Sequence, residues 1–436
     1  MDAFAEMPRY STYRKTNVDF IQQIPTAWKI KKIKHVSTIV SGDSLAPALK
    51  EKFSDDAVEG RPYVASKDIN VRNSNINYDN GLVIPKCASN FKLARKDSSL
   101  ICIEGGSAGK KIAYVKEDVC YVNKLACLHS KYVENKFLFY SLFSEPFQSQ
   151  FESSLTGLIG GVSISSMSNF SLPIPSSEEQ KKIVRFLDGK ISHLHEVISA
   201  KEKQIALLKE RKQIIIQKAV TQGLNTDVPM RDSGVEWIGE IPEHWEMKRV
   251  KNIFRLVMQL SEKNNDHELL SVYTDIGVKP RRELEERGNK ASTTDGYWFV
   301  KKGDIVVNKL LAWMGAIGLS EYDGVTSPAY DILRPQLPVD GHYYHYLFRS
   351  NFCSAELKRH SRGIMDMRLR LYFDKFGVIE VPYPPASEQN EIIHSLEVQM
   401  KDIDKGIDHL NIQIEKLKEY KATLINSAVT GKIKVA

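Results

Sequence analysis

The chain repeats itself, and the repeat decides most of what it can fold into. Val18-Asp19-Phe20-Ile21 and Ile24-Pro25-Thr26-Ala27-Trp28 return as Val235-Glu236-Trp237-Ile238 and Ile241-Pro242-Glu243-His244-Trp245, an offset of 217 residues. Pro173-Ile174-Pro175 with Glu179-Gln180 returns as Pro382-Tyr383-Pro384 with Glu388-Gln389, and Ala219-Val220-Thr221 returns as Ala428-Val429-Thr430, both at an offset of 209. A period this long excludes a stacked solenoid, whose units are far shorter. It marks a duplicated module, each copy a globular part followed by a long helix. Two such modules on one chain imply pseudo-two-fold symmetry, which suits a reader of a two-part site.

The helices are written as heptads. Ser177 with Glu178, Glu179 and Gln180 reads as an N-cap and capping box, and Pro173 and Pro175 hold the preceding segment extended. Apolar residues then recur at Leu187, Ile191, Leu194, Ile198, Ile205, Leu208 and Ile215, with Ala219 closing the series and Lys201 and Lys212 interrupting it. The second seam is Leu396, Met400, Ile403, Ile407, Leu410, Ile414, Leu417 and Leu424, then Ala428, with Lys421 matching Lys212. Such a/d spacing between Lys and Glu flanks predicts a coiled coil rather than a surface helix. About 40 residues make a rod of about 60 Å. The short breaker-rich link Leu224–Pro229 favours antiparallel pairing of the two helices over a parallel pair, which needs a long return connection.

The predicted fold class is α+β: two mixed α/β globular domains separated by an antiparallel two-helix coiled coil. The expected boundaries are an N-terminal segment 1–20, domain one 21–176, helix 177–224, linker 225–237, domain two 238–385 and helix 386–433. Strand candidates are Leu100–Ile103, Lys111–Val115, Asp304–Val307 and Tyr330–Leu333, with helical stretches Lys136–Phe151 and His342–Arg359. The aromatic runs Phe137, Phe139, Tyr140, Phe143 and Tyr343, Tyr344, Tyr346, Phe348 read as core. The copy-to-copy offset shrinks to 205 at Phe143/Phe348, so insertions and deletions sit inside the globular parts while the helices align without gaps.

Bulk properties exclude several classes. With 61 basic against 54 acidic residues the net charge is +7, compatible with nucleic acid and far from ribosomal-type basicity. The five cysteines form no C-x-x-C pair and read as reduced thiols of a cytoplasmic protein, without a zinc site. No run is long and apolar enough to span a bilayer, so no membrane partner is expected. The first six residues lack the basic and apolar regions of a signal peptide.

No enzymatic motif survives inspection. Glu104-Gly105-Gly106-Ser107-Ala108-Gly109-Lys110-Lys111 puts Glu where a P-loop needs its first Gly and Lys where it needs Ser or Thr. Its two lysines remain candidates for phosphate contact. Pro382-Tyr383-Pro384-Pro385 has the wrong order for an Asn-Pro-Pro-Tyr methyltransferase motif. His193 and His195 point to different helix faces. No catalytic residue and no metal ligand is assigned. Arg281, Arg282, Lys309 with Trp313, Arg362, Arg368 and Arg370, together with Lys110 and Lys111, form the candidate DNA face, arginine being the usual bidentate reader of guanine.

These motifs together resemble the specificity (S) subunits of type I restriction–modification systems, over nearly the whole chain from Val18 to Val435. The carrying residues are the paired Ile-Pro-x-x-Trp starts, the Pro-x-Pro…Glu-Gln helix entries and the Ala-Val-Thr helix ends. In the second copy they include Asn308-Lys309, Trp313-Met314-Gly315-Ala316-Ile317-Gly318 and Tyr322-Asp323-Gly324 with Ser327-Pro328-Ala329-Tyr330, which look like a recurring segment of that family's target recognition domains. The first copy departs from that segment at Gly105–Lys110. The resemblance implies a non-catalytic subunit of a restriction and adenine-N6 methyltransferase complex. Its two domains would read the unlike halves of a split duplex target. Its helices would act as ruler and as docking surface for two methyltransferase subunits. Motor/nuclease subunits would join through the complex, and S-adenosylmethionine, ATP and Mg would be held by the partners.

Overall fold

Both heptad segments fold as continuous helices, Ser177–Gln222 of 46 residues and Ala386–Val429 of 44. The structure is a computed structural model and describes residues 7–54, 59–88, 90–157, 160–263, 265–283, 294–365 and 368–435. The start inspected for a signal peptide, residues 1–6, lies outside them. Among the described residues no helix is long and apolar enough to cross a membrane.

The first helix is capped one residue earlier than its sequence suggests. Ser176 Oγ accepts from the Glu179 amide at 3.3 Å, and Gln180 closes no capping box. Its Nε2 instead donates to the Pro175 carbonyl at 2.9 Å and its Oε1 accepts from the Glu134 amide at 2.8 Å. The buried amide is thus spent on tertiary structure.

The chain divides into two units, Met1–Lys201 with Ile412–Ala436, and Glu202–Asn411. Each unit contains the first half of one long helix and the second half of the other, running antiparallel. In the first unit His195 meets Lys421 and Lys201 meets Gln413; in the second, Lys212 meets Asp404 and Leu208 packs at Gly406. Leu187, Ile191, Leu194, Leu396, Met400, Ile407, Ile414 and Leu424 of the seam are buried. Ile198, Ile205, Leu208, Ile215, Ile403, Leu410 and Leu417 are half-buried. The physical difference is what covers them. Leu187, Ile191 and Leu424 share a core with Trp28 and Phe137, and Leu396 and Met400 share one with Trp245 and Phe348. The half-buried residues gain less than the roughly 1.5–3 kcal/mol of a fully buried aliphatic side chain.

The repeated motifs build the same junction in each unit. The Trp28 indole donates to Glu179 Oε2 at 3.0 Å, and the Trp245 indole to Glu388 Oε2 at 2.9 Å. Gln389 repeats the contacts of Gln180, donating to Pro384 and accepting from the Asp340 amide. Arg14 and Arg231 donate to the Trp28 and Trp245 carbonyls. The helix ends close on the same tryptophans through glycines at positive φ. A Cβ on Gly223 (φ +74) would lie 3.2 Å from Trp245, and one on Gly431 (φ +77) 2.5 Å from Pro25. Sequence conservation between the copies is therefore conservation of a joint.

One sheet is also duplicated. Thr38–Ser41, Leu125–His129, Ser99–Cys102 and Ile112–Tyr114 lie in that order; so do Phe254–Val257, Tyr330–Pro335, Ile305–Asn308 and Ile317–Leu319. The rest differs. The first unit adds a four-stranded sheet, Val83–Pro85, Gly60–Val64, Val119–Tyr121 and Leu93–Ala94, with one parallel pair. The second has two separate strand pairs, Leu270–Tyr273 with Gly277–Pro280 and Trp298–Val300 with Gly324–Thr326.

Each predicted helical stretch is in fact two helices: Asn135–Ser141 and Glu145–Ser153, then Gly341–Arg349 and Asn351–His360. The breaks fall at Ser144 and Ser350, whose hydroxyls cap the following helix by accepting from Phe147 N and Cys353 N. The aromatic runs pack inward: Phe137, Phe139, Tyr140, Tyr343, Tyr344 and Phe348 are buried.

Candidate nucleic-acid interface

Two candidate segments with unlike sequences occupy one place in the duplicated sheet. Lys110 and Lys111 close the turn between Ser99–Cys102 and Ile112–Tyr114; Lys309 and Trp313 lie in the turn between Ile305–Asn308 and Ile317–Leu319. The neighbouring loop is equivalent too. In the first unit the Gly105 amide donates to Gly160 in a loop pinched by Thr156 and Gly161. In the second the Leu371 amide donates to the Lys309 carbonyl at 2.8 Å, beside a loop pinched by Arg362 and Arg370.

The cations there divide into inward and outward groups. Lys111 Nζ donates to the Ser66 carbonyl at 2.6 Å, and Lys309 Nζ to the Pro328 carbonyl at 2.8 Å, with Asp331 Oδ1 at 3.3 Å. Burial pushes the Asp331 carboxyl up, and the Lys309 ammonium pulls it back. Both lysines hold their turns in shape. Trp313 packs on the core with Lys358 Nζ 4.8 Å above its ring; its buried indole N–H has no hydrogen-bond partner among the described residues.

Lys110, Arg282, Arg362, Arg368 and Arg370 are exposed. Arg362 pairs with Asp374 at 3.0 Å and Arg282 with Glu268 at 3.1 Å. Among the described residues the guanidinium groups of Arg368 and Arg370 have no hydrogen-bond or ion-pair partner. Ile364, at the tip of their loop, is fully exposed, while Leu369 and Leu371 anchor its base in the interior. The structure therefore brings Lys309, Trp313, Arg362, Arg368 and Arg370 together on adjoining turns. Arg281, half-buried, and Arg282 sit on a separate turn after the Gly277–Pro280 strand.

A half-buried support for these turns carries no motif in sequence. Arg349 donates to the carbonyls of Tyr273, Thr274, Gly315 and Ile317 at 2.7–3.2 Å, tying the Leu270–Pro280 hairpin to the Trp313 turn. His345 beside it accepts from the Leu319 amide, and burial holds its imidazole down at about 3, so it stays neutral. The signal that could have found it is Gly318 inside a strand, where a Cβ would fall 2.8 Å from His345. All five cysteines are free thiols, and Cys87 alone among them is exposed.

Residues 25–207 match the family model described as the type I restriction modification DNA specificity domain. The chain is 23% identical over 446 aligned residues to the type I restriction enzyme MjaVIII specificity subunit of Methanocaldococcus jannaschii, covering 95% of this chain and 94% of that protein. Its fold is similar to a chain in a structure of a type I R-M system concerned with complex assembly and conformational transition (TM-score 0.70, 15% identity, 94% of this chain and 99% of that one). The HsdS subunit from Thermoanaerobacter tengcongensis is similar at TM-score 0.50 and 16% identity, over 94% and 98%.

Proposed function

From the premise that the chain belongs to the specificity subunits of type I restriction–modification systems, the non-catalytic component of those complexes, we propose that it reads an asymmetric two-part duplex target, one half with each unit, and docks two methyltransferase subunits on its paired helices. The observation that carries this reading is the contrast between joint and turns. The Trp-to-Glu bond and both Gln bonds of the junction are repeated, while the turns at Lys110 and at Lys309 share a position and differ in sequence. A common frame with two unlike readers suits two unlike half-sites.

Lys110, Arg281, Arg282, Arg362, Arg368 and Arg370 are the proposed DNA contacts, with Lys111, Lys309 and Trp313 shaping the turns. Phosphate contacts would supply salt-sensitive affinity and a few side chains in the grooves would supply sequence. Leu207 and Ile214, one heptad apart on one helix face, and Val398 are exposed apolar residues, and they support docking by a protein partner. S-adenosylmethionine would be bound by the methyltransferase subunits, which flip the target adenine out of the duplex. ATP and Mg would serve the motor/nuclease subunits.

The test is a map of methylated adenines in the source cell with and without this gene. Loss of one bipartite motif is expected; an unchanged map overturns the reading. Exchanging residues 238–385 for those of a relative should replace one half of the motif only, and a heptad inserted in the helices should change the gap between halves.

A further inference from the structure

The duplication supplies an internal control for surface charge. In each unit the strand that opens the globular part pairs with the strand that precedes the long helix: Lys29–Lys32 with Ser171–Ile174, and Glu246–Arg249 with Glu380–Tyr383. The registers coincide, so Lys29 corresponds to Glu246, Lys31 to Lys248, Lys32 to Arg249, Ser171 to Glu380 and Ile174 to Tyr383.

In the second unit this ribbon is neutralised. Lys248 pairs with Glu246 and lies 4.7 Å over the Tyr383 ring, while Arg249 Nε is 3.5 Å from Glu380. In the first unit each of those compensating groups is missing. Lys stands for Glu at 29, Ser for Glu at 171 and Ile for Tyr at 174. Lys29, Lys31, Lys32 and Lys34 are all exposed, and among the described residues none has a carboxylate partner; Lys34 donates to Asn169 alone. An open cavity of about 320 Å³ beside Ile174 is flanked by Lys29, Lys31 and Tyr132. Tyr132 is 82% exposed. Single exposed lysines are ordinary. Lys31 and Lys32 lack the countercharges that their duplicates Lys248 and Arg249 keep, and Lys29 stands where one of those countercharges was; with Lys34 next to the strand and an exposed aromatic ring beside them, they form a polyanion surface.

We infer that the Lys29–Lys34 ribbon of the first unit is a DNA-backbone contact distinct from the reading turns, present in one half of the molecule only. The inference rests on the proposed DNA-binding function. Alternate residues on a strand lie on one face about 6.8 Å apart, so Lys29 and Lys31 present two ammonium groups side by side. Lys29 and Lys31 can therefore follow phosphates without reading bases.

The experiment measures binding of the full chain to target-containing and random duplexes over a range of salt. Each phosphate contact adds about 0.9 to the slope of log K against log salt, so joint Lys→Gln replacement at 29, 31, 32 and 34 should flatten the slope by about 2, the share of Lys29 and Lys31 on one strand face. Both duplexes should weaken by the same factor. A second variant, Lys29→Glu with Ser171→Glu, copies charges the second unit already accommodates and should act in the same direction. An unchanged slope in both variants overturns the inference and leaves the proposed function standing. Loss of binding to a protein partner with an unchanged slope overturns it in favour of an acidic protein surface. Failure of the wild-type chain to bind any duplex defeats both.

Discussion

Lys421 Nζ lies 2.8 Å from His195 Nε2, at the place where the other half of the duplication sets Lys212 Nζ 2.7 Å from both carboxylate oxygens of Asp404. His195 and Asp404 are separated by the same 209 residues as Lys212 and Lys421. One polar tie across the helices is charge-paired; its duplicate joins an ammonium to an imidazole. Burial first, then the Lys421 charge, holds the His195 imidazole below its ordinary value, and burial lowers Lys421 as well. The unfolded chain therefore binds more protons than the native one below about pH 6.5, and stability falls as pH drops through that value. His195→Asp should raise the thermal midpoint at pH 7.5 by about 1–3 °C, given about 0.2–1 kcal/mol for a partly exposed pair. It should also flatten the loss between about pH 6.5 and 5.5. A midpoint and pH profile identical to wild type would remove the electrostatic account of this tie.

The junction carboxylates give a second test. Trp28 and Trp245 are 1% exposed, and each spends its only donor on Glu179 or Glu388. Replacing either Glu by Ala strands a buried indole N–H and should cost about 1–3 kcal/mol in urea unfolding. Gln keeps an acceptor and should cost less. Equal losses for Ala and Gln would mean the contact works through charge rather than by satisfying the indole.

How much of this was legible beforehand depends on whether the cause is local. The heptads and the inward aromatics obey short-range periodicities, so helices and core follow from spacing; the repeated tryptophans mark the duplication, but their bonds to Glu179 and Glu388 join distant segments and do not show in it. The breaks at Ser144 and Ser350 are hidden because the aromatic period continues across them while a single hydroxyl caps the next helix. Lys201, Lys212 and Lys421 were visible as interruptions. Their partners Gln413, Asp404 and His195 depend on cross-helix register, which no single heptad encodes. Basic residues showed the same limit: Lys111 and Lys309 look like Lys110 in sequence, yet their ammonium groups are bound to main-chain carbonyls. The Lys29–Lys34 ribbon carries no local signal, because its meaning lies in Glu246, Glu380 and Tyr383, more than 200 positions away.

Lys309 can be assigned by separating its charge from its surroundings. The Asp331 carboxyl is raised by burial, so the native state holds that proton more tightly than the unfolded one, and stability declines as pH rises above the ordinary carboxylate value. Lys309→Met removes the opposing charge and widens that window upward. Near neutral pH it should cost about 3 kcal/mol, the lower end for breaking a buried pair, because both side chains keep some exposure. Adding Asp331→Asn should restore most of the loss. Duplex binding by the restored double variant is expected to match wild type; a flattened salt slope in it would make the ammonium a phosphate ligand instead.

Arg368 and Arg370 are the cleanest candidates for base contact, because nothing described in the protein competes for their guanidinium groups. Their loop is fixed where it matters. Arg362 and Arg370 exchange two backbone hydrogen bonds of 2.9 Å, Leu369 and Leu371 are buried, and Gly363 (φ +156) lets the chain pass 2.6 Å from the Arg368 carbonyl where a Cβ would sit. A rigid base with free guanidinium tips loses little entropy on binding, and such groups can bond guanine O6 and N7 in pairs. Substitution of a base-reading arginine by Ala should cost about 1–3 kcal/mol on the target and relax preference at one base pair. A phosphate contact would instead weaken target and random duplex alike and lower the salt slope by about 1. Binding of each single variant to a library of targets randomised in one half-site distinguishes the two. The second unit's half-site should relax and the other half should stay as it is; relaxation in both halves would contradict the assignment of one half to each unit.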